Sequence, residues 1–179
     1  MMLDLEQLRY PVGEYIIPDL ISPTLRDQWI AVIADLPGQL KQRIEGLSPE
    51  QLDTPYRPGG WTLRQLIHHL ADSHMNSYIR FKLGLTEDRA AIRPYDESRW
   101  AELPDTPNTP VQVSLNLLDN LHQRWVVLLQ QMKDSDWERT VYHPENKQTY
   151  RLDELLGMYD WHSRHHLAHI EQTFAQNGW

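Results

Sequence analysis

The sequence predicts an all-α fold, a four-helix bundle spanning residues 1–179 as a single domain. Three observations carry that expectation. Four long stretches repeat apolar residues at steps of three and four, the period of a helix with one buried face. Ser22-Pro23, Thr62-x-x-Gln65 and Thr109-Pro110 are helix-start signals, in which a hydroxyl serves free backbone N–H groups or proline suits the first turn. The only strand-like pattern is short, at 139–151.

In chain order, residues 1–21 hold Pro11, Gly13 and Pro18 and read as a surface arm. The first long helix is expected over 23–46 on Leu25, Trp29, Ile33, Leu36, Leu40 and Ile44, with a kink or break at Pro37-Gly38. A loop over 47–60 leads to the second helix, from Thr62 to Leu85, with Trp61 as an apolar staple at its start. The 86–109 segment is proline-rich and reads as a long irregular loop, a length that suggests function. Thr109 should cap the third helix, which presents Val113, Leu117, Leu121, Trp125, Leu128 and Met132 on one face. Residues 139–143 and 148–151 flank Pro-Glu-Asn-Lys as a small hairpin. The fourth helix spans 152–176 on Leu152, Leu155, Leu156, Tyr159, Ile170 and Phe174, without a clear cap.

Composition narrows the function. With no cysteine, disulfides, iron–sulfur clusters, thiolate zinc sites and cysteine nucleophiles are excluded, so any metal must sit on nitrogen and oxygen ligands. A net charge of −8 disfavours phosphate neutralisation and hence nucleic acid. No apolar run is long enough to span a bilayer, and the acidic start lacks the features of a signal peptide, so a cytoplasmic protein is expected.

The nine histidines cluster: His68, His69 and His74 on the second helix, and His162, His165, His166 and His169 on the fourth. At 100° per residue, His166, His162 and His169 fall about 40°, 80° and 100° to one side of the apolar stripe. His162 and His166, one turn apart, can converge on one ion, the logic of helical His-x-x-x-His pairs. His165 points away and reads as solvated. On the second helix His74 lies on the core face and His69 roughly 120° off it. Angular reading nominates either as a third ligand. The competing interpretation is a polar imidazole network that only fixes packing.

The stretch Gly59-Gly-Trp-Thr-Leu-Arg-Gln-Leu-Ile-His-His-Leu-Ala-Asp-Ser-His74 closely resembles the YfiT-like branch of the DinB superfamily. Pro11–Tyr15, Gln51–Arg57, Asn76–Leu83, Ile92–Glu97, Tyr142–Pro144 and Trp161–Ile170 extend the resemblance over nearly the whole chain. Members of that family include metal-dependent hydrolases and bacillithiol S-transferases. The resemblance implies a DinB-type bundle, a homodimer, and one divalent metal, zinc or nickel, per chain. It also implies the ligands: His69, the histidine before Leu-Ala, with His162 and His166. It thus selects His69 over His74. His165 and His169 become candidates for supporting or pocket roles.

Three neutral imidazoles leave coordination positions open, the pattern of a catalytic site. A divalent ion there can bring the pKa of water to about 7 or deprotonate a thiol, so hydrolysis and thiol transfer onto a small electrophile are both chemically open. No His-Glu-x-x-His glutamate is present to act as base, and Asp72 and Asp160 are the carboxylates nearest in sequence for orienting ligands. Arg80, Arg93, Tyr95, Asp96 and His169 are the candidate pocket residues. The expected partners are a small-molecule substrate and a low-molecular-weight thiol, with neither nucleic acid nor membrane. A reading from another class is a non-catalytic, metal-stabilised dimeric binding module.

Overall fold

The computed structural model describes residues 4–179. Its elements are α1 (Leu5–Arg9), α2 (Pro23–Ile44), α3 (Pro49–Leu52), α4 (Leu63–Thr86), β1 (Ala90–Ala91), α5 (Glu97–Trp100), α6 (Asp105–Asn108), α7 (Val111–Gln130), α8 (Asp134–Trp137), β2 (Thr140–His143), β3 (Gln148–Arg151) and α9 (Leu152–Asn177). The four long helices α2, α4, α7 and α9 form the bundle. α2 packs against α7 and α9, and α4 packs against the same two, so helices consecutive in sequence (α2 then α4, α7 then α9) face each other across the diagonal. No helix among the described residues is long and apolar enough to cross a membrane.

Local chemistry fixes most helix starts. Ser22 Oγ accepts from Leu25 N at 3.1 Å, and Thr62 and Gln65 close a reciprocal capping box at 3.0 and 3.1 Å. At α7 the expectation fails: the helix begins at Val111 behind Pro110, and Thr109 caps nothing. α9 starts without a side-chain cap from Arg151, as its sequence suggests, and is held instead by Arg151 N donating to Glu154 Oε2 at 2.8 Å.

Two further expectations are corrected, and of the kink or break expected at Pro37-Gly38 the break is absent. α2 runs unbroken through Pro37. The ring of Pro37 removes one N–H, so the carbonyl of Ile33, four residues earlier, loses its helical partner. The 86–109 segment is partly ordered into secondary structure: β1 pairs in parallel with β2 (Ala90 with Val141), and α5 and α6 add single turns. The hairpin is present, β2 pairing antiparallel with β3 (Val141 with Tyr150), and β1 makes it a three-stranded sheet. The buried face of α7 is Leu115, Leu118, His122, Trp125 and Leu129, while Val113 and Leu117 of the expected stripe lie exposed.

The core has two apolar halves. One, toward the sheet, gathers Trp29, Ile33, Phe81, Trp125, Val141, Leu152, Leu156 and Tyr159. The other gathers Leu36, Leu40, Leu63, Leu66, Leu70, Leu115, Leu118 and Ile170. Between them histidines interrupt three of the four long helices: His74 on α4, His122 on α7, and His162 and His166 on α9.

The described part of the surface arm, residues 4–21, lies along α9; residues 1–3 of the expected arm fall outside the described residues. Tyr15 Oη donates to the Glu154 carbonyl at 2.8 Å, and Trp161 Nε1 donates to the Gly13 carbonyl at 2.8 Å. Gly157 permits this crossing, because a Cβ there would stand 2.8 Å from both Trp29 Cη2 and Tyr15 Oη. Gly157→Ala is therefore expected to force the Trp29 ring and the arm apart, costing ~1–3 kcal/mol of stability as overpacking does. A thermal melt should fall by several degrees; an unchanged melt would show that the arm yields without cost.

Candidate metal centre

α4 and α9 are neighbours, and each turns imidazoles into the layer between the core halves. His162 and His166 share a face of α9 one turn apart. His69 comes from α4. Its Nε2 lies 3.1 Å from His162 Nε2, and His166 Nε2 lies 3.2 Å from the same atom. Nitrogens ~2.0–2.1 Å from a tetrahedrally coordinated ion stand roughly 3.3 Å apart, so the spacing fits one divalent cation on three Nε2 atoms. The sequence-predicted trio is brought together. Trp61 packs its ring 4.6 Å from that of His69, so the residue read as a helix staple also holds a member of the trio.

Burial makes these rings neutral, the form that can ligate. Desolvation pushes His69 down to about 4, with the charge of His165 adding to it, and pushes His162 and His166 well below the ordinary imidazole value. No carboxylate hydrogen-bonds to the trio among the described residues. Asp160 is taken by Arg164 at 2.6 Å. Asp72, raised to about 6 by burial and then by Asp105, contacts none of the three rings through a hydrogen bond. Neither aspartate orients a ring of the trio through a hydrogen bond.

The support comes from histidines instead. His162 Nδ1 lies 3.2 Å from His74 Nε2, His74 Nδ1 lies 2.8 Å from His122 Nε2, and His122 Nδ1 lies 2.5 Å from the Ile33 carbonyl oxygen. His74 is wholly buried and His122 nearly so. His74 therefore touches the centre, as its core-facing position allows, but on the far nitrogen of His162. His122 escaped the sequence reading because the assumed stripe of α7 pointed elsewhere.

The structure corrects the reading of His165. It is buried, not solvated, with its ring stacked on Trp161 at 4.5 Å and set edge-on to His169 at 4.3 Å. His169 stacks on Tyr56 at 4.0 Å and donates through Nε2 to the Arg9 carbonyl at 3.3 Å, which ties the arm down. His165, His166 and His169 also place ring nitrogens within 4.8 Å of one another. That group packs aromatic faces beneath the arm and lines no cavity adjoining the centre.

A cavity of about 520 Å³ reaches the centre at His162. Arg80, Tyr95 and Asp96 line it, as expected from sequence, together with Ser73, Glu97, His143 and Tyr159, which no sequence signal singled out. Arg93 lines only an adjoining depression with Asn76, Pro94 and Trp100, and His169 lies outside the cavity. Arg80 is the one Lys or Arg side chain on the wall among the described residues, and its Nη1 donates to Tyr159 Oη at 3.4 Å. Tyr159 Oη in turn donates to the Ser73 carbonyl at 3.1 Å, which fixes the phenol beside His162. Burial, with the charge of Glu97, raises the Tyr95 phenol above its ordinary range, so it stays protonated at neutral pH. The arrangement is a cluster of three imidazoles that could hold a cation, with a pocket of mixed polarity beside it.

The sequence profile of the DinB superfamily matches residues 33–170. YfiT of Bacillus subtilis (strain 168), assigned as a metal-dependent hydrolase, is 52% identical over 172 residues, covering 96% of this chain and 97% of its own. A protein of Bacillus mycoides (strain KBAB4) with the same assignment is 50% identical over 175 residues, covering 98% and 100%. The solved structure of Bacillus subtilis YfiT, noted for an unusual four-helix bundle topology, superposes with a TM-score of 0.94 over 97% of this chain and 99% of that one. A mycothiol-dependent maleylpyruvate isomerase superposes at a TM-score of 0.61 with 15% identity, covering 85% of this chain and 63% of that chain, a likeness of fold alone.

Proposed function

Since this chain belongs to the DinB superfamily, we propose that it is a metal-dependent enzyme that holds one divalent ion, zinc or nickel, on His69, His162 and His166. The ion would activate water, or a low-molecular-weight thiol, toward a small electrophilic substrate. The observation that carries this reading is the convergence of three Nε2 atoms at 3.1 and 3.2 Å beside a cavity large enough for such a substrate.

The chain's own residues supply the rest. Neutral, buried imidazoles bind the cation without competition from protons at pH 7. Tyr159, its O–H committed to the Ser73 carbonyl, presents its phenol oxygen to the cavity next to His162, and Arg80 presents N–H groups that can orient a carbonyl or another polar group of the substrate. Tyr95 remains a hydrogen-bond donor over the working pH range.

Hydrolysis and thiol transfer differ in what must be added. Protein purified without a histidine tag or nickel column, and assayed for its metal content, should be incubated with a bimane-type electrophile and several thiols, with a plain ester as control. Loss of electrophile only in the presence of thiol supports transfer, whereas ester cleavage without thiol supports hydrolysis. Chelation should abolish whichever activity is found. Full activity in metal-free protein would overturn the reading.

A further inference from the structure

Pro37 sits inside a buried helix, where its missing N–H leaves the Ile33 carbonyl without a helical donor. That carbonyl is the one His122 reaches, at 2.5 Å. From there a single run of ring-to-ring contacts ends on a nitrogen of the proposed metal ligand His162. We infer that the Ile33 carbonyl, freed by Pro37, sets the tautomers of His122, His74 and His162 in turn, so that the metal-facing Nε2 of His162 is held without a proton.

The logic is one of alternation. A carbonyl oxygen only accepts, so His122 Nδ1 must carry the hydrogen. A neutral imidazole carries one ring hydrogen, so His122 Nε2 is an acceptor and His74 Nδ1 must donate to it. By the same rule His74 Nε2 accepts, and His162 Nδ1 donates to it. His162 Nε2 is then left with its lone pair directed at His69 Nε2 and His166 Nε2, the point where the three rings meet. Burial supports the premise of neutrality, since His74 is fully enclosed and His122 nearly so. A metal-ligating histidine usually donates its second N–H to a carboxylate, carbonyl or water. Here two further imidazoles carry that function across the bundle, from α9 through α4 and α7 to α2. His74 and His122 are thus positioning residues that touch neither ion nor substrate.

The inference rests on His162 being a ligand, but it can be read without an ion. In metal-free protein, long-range ¹⁵N–¹H correlation spectra should show His162 as the Nδ1–H tautomer. His122→Phe keeps an aromatic ring but breaks the run at the carbonyl. It should leave the helical signal in place, give a mixture of His162 tautomers, and weaken zinc binding about 10–100-fold, the usual cost of losing a supporting group. In His122→Gln an amide N–H can serve Ile33 while its oxygen accepts from His74, and both readouts should return toward those of the unmodified protein. Should His122→Phe fail to fold, the tautomer in the unmodified protein and the behaviour of His122→Gln still decide. An Nε2–H tautomer for His162 in the metal-free chain, unchanged zinc affinity in folded His122→Phe, or a folded His122→Gln without rescue would each overturn it. The proposed reaction can fail its own assay while the tautomer stands, so the two failures are separable.

Discussion

His162→Ala should strip the chain of its metal and of turnover while leaving a folded bundle. His162 is the hub of the site: both other Nε2 atoms are measured from its own, and it alone of the three lines the cavity. Its loss should reduce metal affinity by more than the ~10–100-fold expected for a supporting residue, because a ligand itself is removed. The structural cost is smaller. His74 Nε2 loses a hydrogen-bond partner and a small void opens, worth ~1–3 kcal/mol, while the large apolar groups of both core halves are untouched. Metal content by elemental analysis, turnover with the activating metal in excess, and far-ultraviolet circular dichroism measured on one preparation separate the terms. His69→Ala and His166→Ala should behave alike. A non-catalytic, metal-stabilised module would show the opposite pattern: marked loss of thermal stability on metal removal and no reaction to lose. Retention of stoichiometric metal by folded His162→Ala would exclude the trio as the site.

The parts of this arrangement that could be read from sequence are those governed by local periodicity. The stripes of α2, α4 and α9 were legible because their apolar residues recur at helical spacing, and His162 with His166 because ligands four residues apart share a face. His69 and His74 could not be ranked by angle, and the structure gives the reason: both touch His162, one at each ring nitrogen. His122 was hidden by an error of facing. Val113 and Leu117 extend a regular apolar row toward Trp125, yet they themselves face out while Trp125 is buried, and nothing local distinguishes the part of a row that meets neighbours from the part that does not. Pro37 shows a different limit. A proline inside a helix signals a lost hydrogen bond, but only the fold reveals that another side chain uses the freed carbonyl. His165 reads as solvated because the arm that covers it, through Tyr10, comes from the other end of the chain, adding to the stacked ring of Trp161 on its own helix.

The metal-free protein should unfold steeply on mild acidification. His68, His69, His74, His122, His165, His166 and His169 are all buried, and desolvation lowers every one of them below its ordinary value, His69, His122 and His165 to about 4 and His169 to about 3. A histidine whose folded value lies below its unfolded one is neutral in the native state and charged in the unfolded chain between the two. Its stabilising contribution is complete above pH ~6.5 and is lost as the pH falls toward the folded value. Each such group steepens the fall by ~1.4 kcal/mol per pH unit. Asp72, raised to about 6, and Asp160 and Glu97, also raised by burial, act in the opposite sense, but they are outnumbered by the imidazoles. Several such groups together remove stability steeply as the pH falls below about 6, against a total of only ~5–15 kcal/mol for an ordinary domain. Helical ellipticity of the chelated protein should therefore collapse as the pH falls below about 6. A bound divalent ion must be displaced by protons before its ligands can charge, so loaded protein should hold to lower pH. Chelated protein that keeps its helical signal at pH ~4.5 would mean that water reaches these rings and that the imidazole layer between the two core halves is wet.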